Sequence, residues 1–190
     1  MIAWSIAAAR ESGAFDHVVV STDDAEIAAI ACAEGAQAPF LRPAELADDH
    51  TTMVPVIARA IEAVAAAGLE EASQVCYLYA TAPFVQAEDL RRGQAKLETE
   101  DCDFVLSVTS YAFPIQRALR LRPGNRVQMV QPEHPLTRSQ DLEEAWRDGC
   151  KIMGERSVGR VLPPDRVQDI DTLEDWRCAE IMFQALQVPG

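Results

Sequence analysis

The chain has 190 residues, 48% of them hydrophobic and 25% charged, and its net charge at pH 7 is −13. This length and composition predict one globular domain, residues 1–190, built around a single sizeable core. The acidity disfavours broad binding to nucleic acid or to an anionic membrane, because those partners are also negatively charged. The sequence has no run of eighteen apolar residues and does not start with the basic segment of a signal peptide, so we expect a cytoplasmic protein.

Alternation of helices and short apolar strands organises the first half of the sequence. An alanine-rich amphipathic pattern predicts a helix from Met1 to Arg10, which ends at Ser12-Gly13. We predict further helices at 25–31, 54–65 and 88–97, and strands at 17–21, 36–41, 74–79 and 104–109. This alternation predicts a mostly parallel sheet with helices on both faces, an α/β/α arrangement of three layers.

The second half of the sequence is less regular. Residues 117–121 and 126–130 flank Arg122-Pro123-Gly124-Asn125, which is typical of a β-hairpin that projects from a main sheet. Residues 137–147 form a polar segment that we expect to turn helical at its end, and 150–160 show no period that predicts an element. Trp4, Trp146 and Trp176 fall on predicted helices, where we expect them to be packing anchors rather than a stacking platform.

Cysteine and histidine spacings do not indicate a metal site. The five cysteines are odd in number and widely spaced, without a Cys-x-x-Cys pair, so neither a disulfide framework nor a zinc site is supported. No two of the three histidines have the spacing of metal ligands, and we interpret all three as structural or solvated. Any metal chemistry is therefore expected from carboxylates.

Two aspartates near the C-terminus, Asp169 and Asp171, are the strongest candidates for a metal site. If residues 166–170 are extended, the two side chains point to the same side of the chain. Thr172 and Asp175 have the spacing of a helix N-cap, so the pair lies at the start of a helix. Two carboxylates there suit a hard divalent cation. Alternatively, Asp169 is a turn residue and Asp171 or Thr172 merely caps the helix.

Polar residues also follow the first two predicted strands. Asp23 and Asp24 open the second helix, and either a metal or nucleotide role or simple capping explains them; capping is the better explanation for at least one. Arg42 follows the next strand, where it is either a solvated charge or a ligand contact at the same edge of the sheet.

Five motifs then occur in one order along almost the whole chain, at 21–24, 40–46, 79–84, 137–142 and 169–172. In this order they resemble the acylneuraminate cytidylyltransferase family. The motif Thr81-Ala82-Pro83-Phe84, together with residues 113–117 and 138–141, is most similar to the pseudaminic acid cytidylyltransferase branch of this family. The resemblance implies a nucleotide-diphospho-sugar transferase (Rossmann-like) fold, in which the hairpin 117–130 is a candidate dimerisation element.

The resemblance also implies a reaction. A CMP-sugar synthetase transfers CMP from CTP to a nine-carbon keto-acid sugar, of the pseudaminic or sialic acid type, and releases pyrophosphate with Mg²⁺ required. The partners implied are CTP, the sugar acid and a second copy of the chain in a homodimer. The matching site residues are Asp169 and Asp171 for the metal and catalysis, Arg42, Asp23 and Thr81 for the nucleotide, and Tyr79, Arg138, Gln140 and Arg147 for the sugar. Tyr79 stands where sialic acid enzymes have a glutamine, which favours a different sugar.

Two departures from the family pattern set the alternatives. The family begins with a strand and a Gly/Arg/Ser/Lys-rich loop that wraps the triphosphate, and Met1 aligns after that loop, so we expect an N-terminally truncated fold with an exposed sheet edge. Residues 148–161 also lack the family's aromatic, glycine-containing strand. One alternative is therefore an inactive remnant that keeps the fold, and another is a binding or nucleotidyltransferase module outside this branch, such as a guanylyltransferase-like protein.

Overall fold

The computed structural model describes residues 1–48, 50–69, 72–134, 136–148 and 154–186. Within these ranges the chain forms five α-helices and five strands, joined by loops and short 3₁₀ turns. The helices are α1 Ile2–Ser12, α2 Ala25–Ala33, α3 Met53–Ala66, α4 Ala87–Thr99 and α5 Leu173–Leu186. The strands are β1 Phe104–Ser110, β2 Leu119–Arg122, β3 Arg126–Met129, β4 Trp146–Asp148 and β5 Ser157–Val161. The α/β class predicted from the sequence is confirmed.

Strand β1 is the centre of a three-stranded sheet with the order β4-β1-β5. It pairs with β5 in parallel, from Phe104 opposite Ser157 to Val108 opposite Val161. It pairs with β4 in the antiparallel direction, with Thr109 opposite Arg147. The helical end expected for 137–147 is wrong, because main-chain pairing with β1 makes residues 146–148 a strand. Strand β5 lies in the stretch for which the sequence pattern predicted no element.

A second parallel pairing joins the first two predicted strands. Val19 bridges Gln37, with hydrogen bonds of 2.8 Å from Val20 N to Gln37 O and from Gln37 N to Val18 O. The two stretches therefore lie side by side in parallel, although their pairing is a single bridge rather than two full strands. The predicted strand at 74–79 is not formed: these residues join no sheet in the described part of the chain, and most of them are exposed.

The predicted hairpin is confirmed as β2 and β3, which pair from Leu119 opposite Met129 to Arg122 opposite Arg126. Gly124 and Asn125 make the turn at φ values of 76° and 57°. Glycine and asparagine are the residues that adopt this left-handed backbone most readily, which explains the turn prediction.

The first four helices agree with the sequence prediction to within a few residues. Helix α2 begins at Asp24, whose Oδ1 accepts hydrogen bonds from Glu26 N at 2.7 Å and Ile27 N at 3.2 Å. The capping interpretation of Asp24 is therefore confirmed. Helix α1 ends at Gly13, where φ is 62°. None of the helices in the described ranges is long and apolar enough to cross a bilayer.

Helix α1 forms the centre of the buried core. Ile6 of α1 packs with Ala31 of α2 and Ala36, and partly buried apolar side chains surround them. Trp4 meets Phe183 of α5 edge-on, with 4.9 Å between ring centroids, although half of its surface stays exposed. This ring contact joins helix α1 to helix α5, which follows the two candidate metal ligands.

Gly35 is a position where glycine is required. Its φ is +90°, and a Cβ added there would lie 2.2 Å from Nη1 of Arg10. We expect Gly35→Ala to lower the free energy of unfolding by about 1–3 kcal/mol, from backbone strain and displacement of Arg10. Chemical denaturation measures this change. Gly93→Ala in α4, where a Cβ meets nothing within 4 Å, is the matched control and should stabilise by about 0.5–1 kcal/mol. Equal effects of the two substitutions would contradict the prediction.

Candidate active site

The carboxyl end of β1 is the point at which the chain positions its candidate site. Thr109 is only 1% exposed, and its hydroxyl donates to the carbonyl of Leu162 at 3.0 Å. Leu162 N in turn donates to Val108 O at 2.8 Å. The chain leaving β5 is therefore held against the end of β1, while β4 with Arg147 lies on the other side. Ligands of open α/β sheets bind at this edge.

The segment that carries the two aspartates follows this point. Residues Pro164–Arg166 form a 3₁₀ turn, and Val167 is extended, with φ −126° and ψ 110°. Residues 166–170 join no sheet in the described ranges, so the expectation that Asp169 and Asp171 end a strand is wrong. The sheet strand is β5, which ends earlier, because its pairing with β1 stops at Val161.

Helix α5 begins where the sequence predicted, at a capping box formed by Thr172 and Asp175. Thr172 N donates to Asp175 Oδ2 at 2.9 Å, and Asp175 N donates to Thr172 Oγ1 at 3.2 Å. The Thr172 hydroxyl, followed by the backbone N–H groups, holds the pKa of Asp175 below its ordinary value. A carboxylate with a lowered pKa keeps its stabilising effect until the pH falls through that pKa, so the cap is intact at neutral pH.

Both candidate ligands have carboxylates that are available for a cation. Asp169 and Asp171 are exposed. In their hydrogen bonds to other described residues they use only their own backbone atoms, and their carboxylates take no part. Since Thr172 caps α5, neither carboxylate is used for capping. No group of three or more His, Cys, Asp or Glu side chains that could hold a metal occurs among the described residues. The pair nevertheless fits Mg²⁺, which commonly takes one or two carboxylates and completes its coordination with water and substrate phosphates.

Asp23 and Arg42 lie beyond the ends of the parallel pair formed by 18–20 and 36–37. Arg42 N donates to Thr22 O at 2.8 Å, and its Nη2 donates to Ser21 O at 2.5 Å. The buried Nε of Arg42 has no hydrogen-bond partner in the described part of the chain. Asp23 is exposed beside the buried Thr22. The structure thus brings this arginine and this aspartate to one place, as expected from their positions after two strands.

Tyr79 and Thr81 share a tight loop that α1 holds in place. Ser5 Oγ donates to the carbonyl of Tyr79 at 3.1 Å and lies 3.4 Å from that of Ala82. The Tyr79 hydroxyl contacts the sulfur of Met53 in α3, while Thr81 is exposed. Ser5 was not singled out in the sequence, and the signal that could have found it is a serine on the apolar face of an alanine-rich helix.

The residues expected near the sugar divide into three environments. Arg138 forms a bidentate ion pair with Asp141, at 2.6 Å from Nε to Oδ2 and 2.9 Å from Nη2 to Oδ1. Gln140 lines a cleft of about 170 Å³ together with Tyr111, residues 113–115 and residues 142–145. Arg147 is paired through its backbone with Thr109 in the sheet, and its side chain lies outside the described part of the chain. The sequence analysis assigned no role to Asp141, which the structure shows as the partner of Arg138.

The structure connects some of these groups and not others. Arg42 is hydrogen-bonded to the two residues that precede Asp23, and Tyr79 and Thr81 share a loop, whereas Arg138, Gln140 and Arg147 lie in separate environments. No hydrogen bond or ion pair within the described residues links Arg42 to Asp169 or Asp171. Their convergence on one ligand stays a prediction.

Comparison with known proteins shows the family of the chain. The family model described as cytidylyltransferase matches residues 1–172. The chain belongs to the cytidylyltransferase family. The match ends at Thr172, so it includes the segment with both aspartates and every motif on which the resemblance was based.

Three relatives with named activities are similar to this chain. A pseudaminic acid cytidylyltransferase of Campylobacter jejuni subsp. jejuni serotype O:2 is 36% identical over 198 residues, which cover 97% of this chain and 85% of the relative. A Helicobacter pylori protein named as pseudaminic acid cytidylyltransferase and UDP-2,4-diacetamido-2,4,6-trideoxy-beta-L-altropyranose hydrolase is 29% identical over 98% of this chain and 38% of its own length. A CMP-N,N'-diacetyllegionaminic acid synthase of the same Campylobacter is 48% identical over 61 residues, 32% of this chain and 26% of that protein.

These findings confirm the resemblance and the enzyme class. The chain has the α/β, Rossmann-like nucleotidyltransferase fold of a cytidylyltransferase, and it is 35–36% identical to pseudaminic acid cytidylyltransferases over most of its length. They do not favour the alternative of an inactive remnant.

Proposed function

We propose that the protein transfers CMP from CTP to a nine-carbon keto-acid sugar of the pseudaminic acid type. The observation that carries this proposal is the chain segment from Leu162 to Thr172. Leu162 is held against the carboxyl end of β1 and Thr172 caps α5. Between them, Asp169 and Asp171 are exposed, and their carboxylates make no described hydrogen bond. The 36% identity over 97% of the chain to an enzyme named pseudaminic acid cytidylyltransferase supports the sugar class.

In the proposed reaction the anomeric hydroxyl of the sugar attacks the α-phosphorus of CTP. A new P–O bond forms to the sugar oxygen, which loses its proton to solvent, while the bond from the α-phosphorus to the oxygen that bridges it to the β-phosphate breaks and pyrophosphate leaves. Asp169 and Asp171 would hold Mg²⁺, which when bound supplies positive charge that offsets the negative charge of the reacting phosphates. Arg42, whose Nε has no described partner, would donate to the nucleotide, and Asp23 and Thr81 would line the nucleotide pocket.

The sugar is proposed to lie against Arg138, Gln140, Arg147 and Tyr79. An arginine can hold a carboxylate through two parallel N–H bonds, so Arg138 suits the keto-acid group. Its guanidinium already has that arrangement with Asp141. The sugar carboxylate would therefore replace or share the Asp141 contact, which makes Asp141 a competitor for the arginine.

The proposal is tested by pyrophosphate release with purified protein, CTP, Mg²⁺ and pseudaminic acid. We expect turnover with CTP, little with GTP, and a lower kcat/KM when N-acetylneuraminic acid replaces pseudaminic acid. Absence of turnover at saturating CTP, Mg²⁺ and sugar would contradict the proposal. A GTP preference would instead favour a nucleotidyltransferase outside this branch.

We also propose that the protein acts as a cytoplasmic homodimer that binds neither nucleic acid nor membrane. The apolar side chains of the hairpin lie on one face, since Leu119 is opposite Met129 and Leu121 is opposite Val127. Leu119, Leu121 and Val127 are 60%, 72% and 64% exposed. A second copy covering the hairpin would remove this apolar face from water.

Leu121→Glu should therefore shift the protein from dimer to monomer, because it places a charge in the centre of the proposed interface. Light scattering coupled to size-exclusion chromatography measures the mass. Arg120→Glu, on the opposite face of the same strand, is the matched control and should leave the mass unchanged. A monomeric wild-type protein, or the same mass for both variants, would contradict the dimer proposal.

A further inference from the structure

Asp89 is a buried carboxylate at the start of α4, and three elements meet at its side chain, which is 7% exposed. The guanidinium of Arg166 makes a bidentate contact with this carboxylate, at 2.6 Å from Nη1 to Oδ2 and 3.3 Å from Nη2 to Oδ1. Arg160 of β5 adds a contact of 3.4 Å from Nη2 to Oδ1. Gln86 N donates to Oδ2 at 3.3 Å. Asp89 therefore ties α4 to β5 and to the 3₁₀ turn that follows β5.

The ion pair between Asp89 and Arg166 matters because of where Arg166 lies in the chain. Arg166 is the last residue of the 3₁₀ turn, and the next five residues include both Asp169 and Asp171. The capping box of Thr172 and Asp175 holds the far end of that segment. Because a guanidinium paired with a carboxylate through two bonds is fixed in orientation as well as distance, Asp89 holds the near end.

We infer that Asp89 is a positioning residue, which acts through Arg166 to hold residues 167–171 where Asp169 and Asp171 bind the divalent cation. The inference rests on the proposed function, since that proposal assigns the cation to the two aspartates. Hydrogen bonds that orient metal ligands commonly contribute a factor of about 10–100 to metal affinity or activity. Asp89 itself touches neither aspartate in the described hydrogen bonds; its effect passes through the backbone after Arg166.

A second explanation is that the cluster only stabilises the fold, as any buried ion pair whose partner is removed would do. The test must therefore include measurements that global stability does not change. The chain offers a matched control at the other end of the β1–β5 pair, where Asp103 Oδ1 accepts from Arg156 Nε at 3.1 Å. That contact also joins the flank of β5 to a carboxylate, but it is far along the strand from the aspartates.

The experiment compares Asp89→Asn with Asp103→Asn in the full chain. Amide hydrogen exchange of residues 167–171 is measured without metal, and Mn²⁺ binding in the presence of CTP is measured by water proton relaxation. We expect Asp89→Asn to increase exchange in 167–171 and to raise the Mn²⁺ dissociation constant about 10–100-fold, while Asp103→Asn changes neither. Unchanged exchange in Asp89→Asn, or increased exchange with unchanged Mn²⁺ affinity, would overturn the inference.

Arg166→Lys provides a second route if Asp89→Asn fails to fold. Lysine keeps the charge but cannot make the bidentate contact. We therefore expect a smaller increase in the amide exchange of residues 167–171 and a smaller rise in the Mn²⁺ dissociation constant. No change in exchange or Mn²⁺ binding would overturn the inference. If Asp171→Asn leaves Mn²⁺ binding unchanged, the assignment of the cation fails and the inferred link to the metal fails with it. The exchange data then still show whether Asp89 orders the segment.

Discussion

Asp171→Asn is expected to lower kcat/KM for pyrophosphate release by about 10³-fold, or about 4 kcal/mol of transition-state stabilisation. Asparagine has nearly the same size but no charge, so the substitution removes half of the carboxylate charge proposed to hold the cation. Rates are measured over a range of Mg²⁺ concentrations, and part of the loss should be recovered at high Mg²⁺. Asp171 is exposed and its carboxylate makes no described hydrogen bond, so we expect the thermal midpoint to change little.

The matched control is Asp165→Asn, since Asp165 is an exposed aspartate in the 3₁₀ turn before the same segment. It has no proposed role with the cation, so its kcat/KM should stay close to wild type. If both substitutions lower kcat/KM equally, the effect comes from the general negative charge of this region. If neither does, the metal is held elsewhere.

Phe84→Ala is expected to have the largest effect on stability. Phe84 is 6% exposed, ends the loop that carries Tyr79 and Thr81, and has its ring centroid 6.4 Å from that of Phe183. Removing a buried phenylalanine ring typically costs about 3–5 kcal/mol, from lost burial and the cavity that remains. The thermal midpoint should fall by about 10 °C for a chain of this length. Differential scanning calorimetry measures the change.

Phe113→Ala is the control with the same chemical change in a different environment. Phe113 is 81% exposed, so its removal should change the free energy of unfolding by no more than about 0.5 kcal/mol. A similar loss of stability in both variants would show that Phe84 is not a core residue. Because Phe84 also supports the loop, its loss is expected to weaken CTP binding, whereas Phe113→Ala should leave the affinity for CTP unchanged.

Local sequence signals predicted the elements that depend on nearby residues. The caps at Asp24 and Thr172, the Gly13 helix end and the hairpin turn at Gly124 were all confirmed. Each depends on hydrogen bonds or backbone angles within a few residues, so the residues that decide the conformation lie inside the motif itself. The order of the motifs likewise identified the family before any comparison.

The errors share a cause. Residues 74–79 have strand-like composition but join no described sheet, whereas β4 and β5 formed where composition did not predict strands. A strand exists through its pairing, and the partner of β4 and β5 is β1, far away in the sequence.

The sequence by itself determined the family, the helices with their caps, and the two aspartates as candidate metal ligands, because these depend on residue identity and short-range spacing. Only the tertiary structure decided how the aspartate segment is anchored. Thr109 meets Leu162, and Arg166 meets Asp89, across chain separations of 53 and 77 residues. Contacts over such distances are set by how the elements pack, and that information is absent from any local pattern.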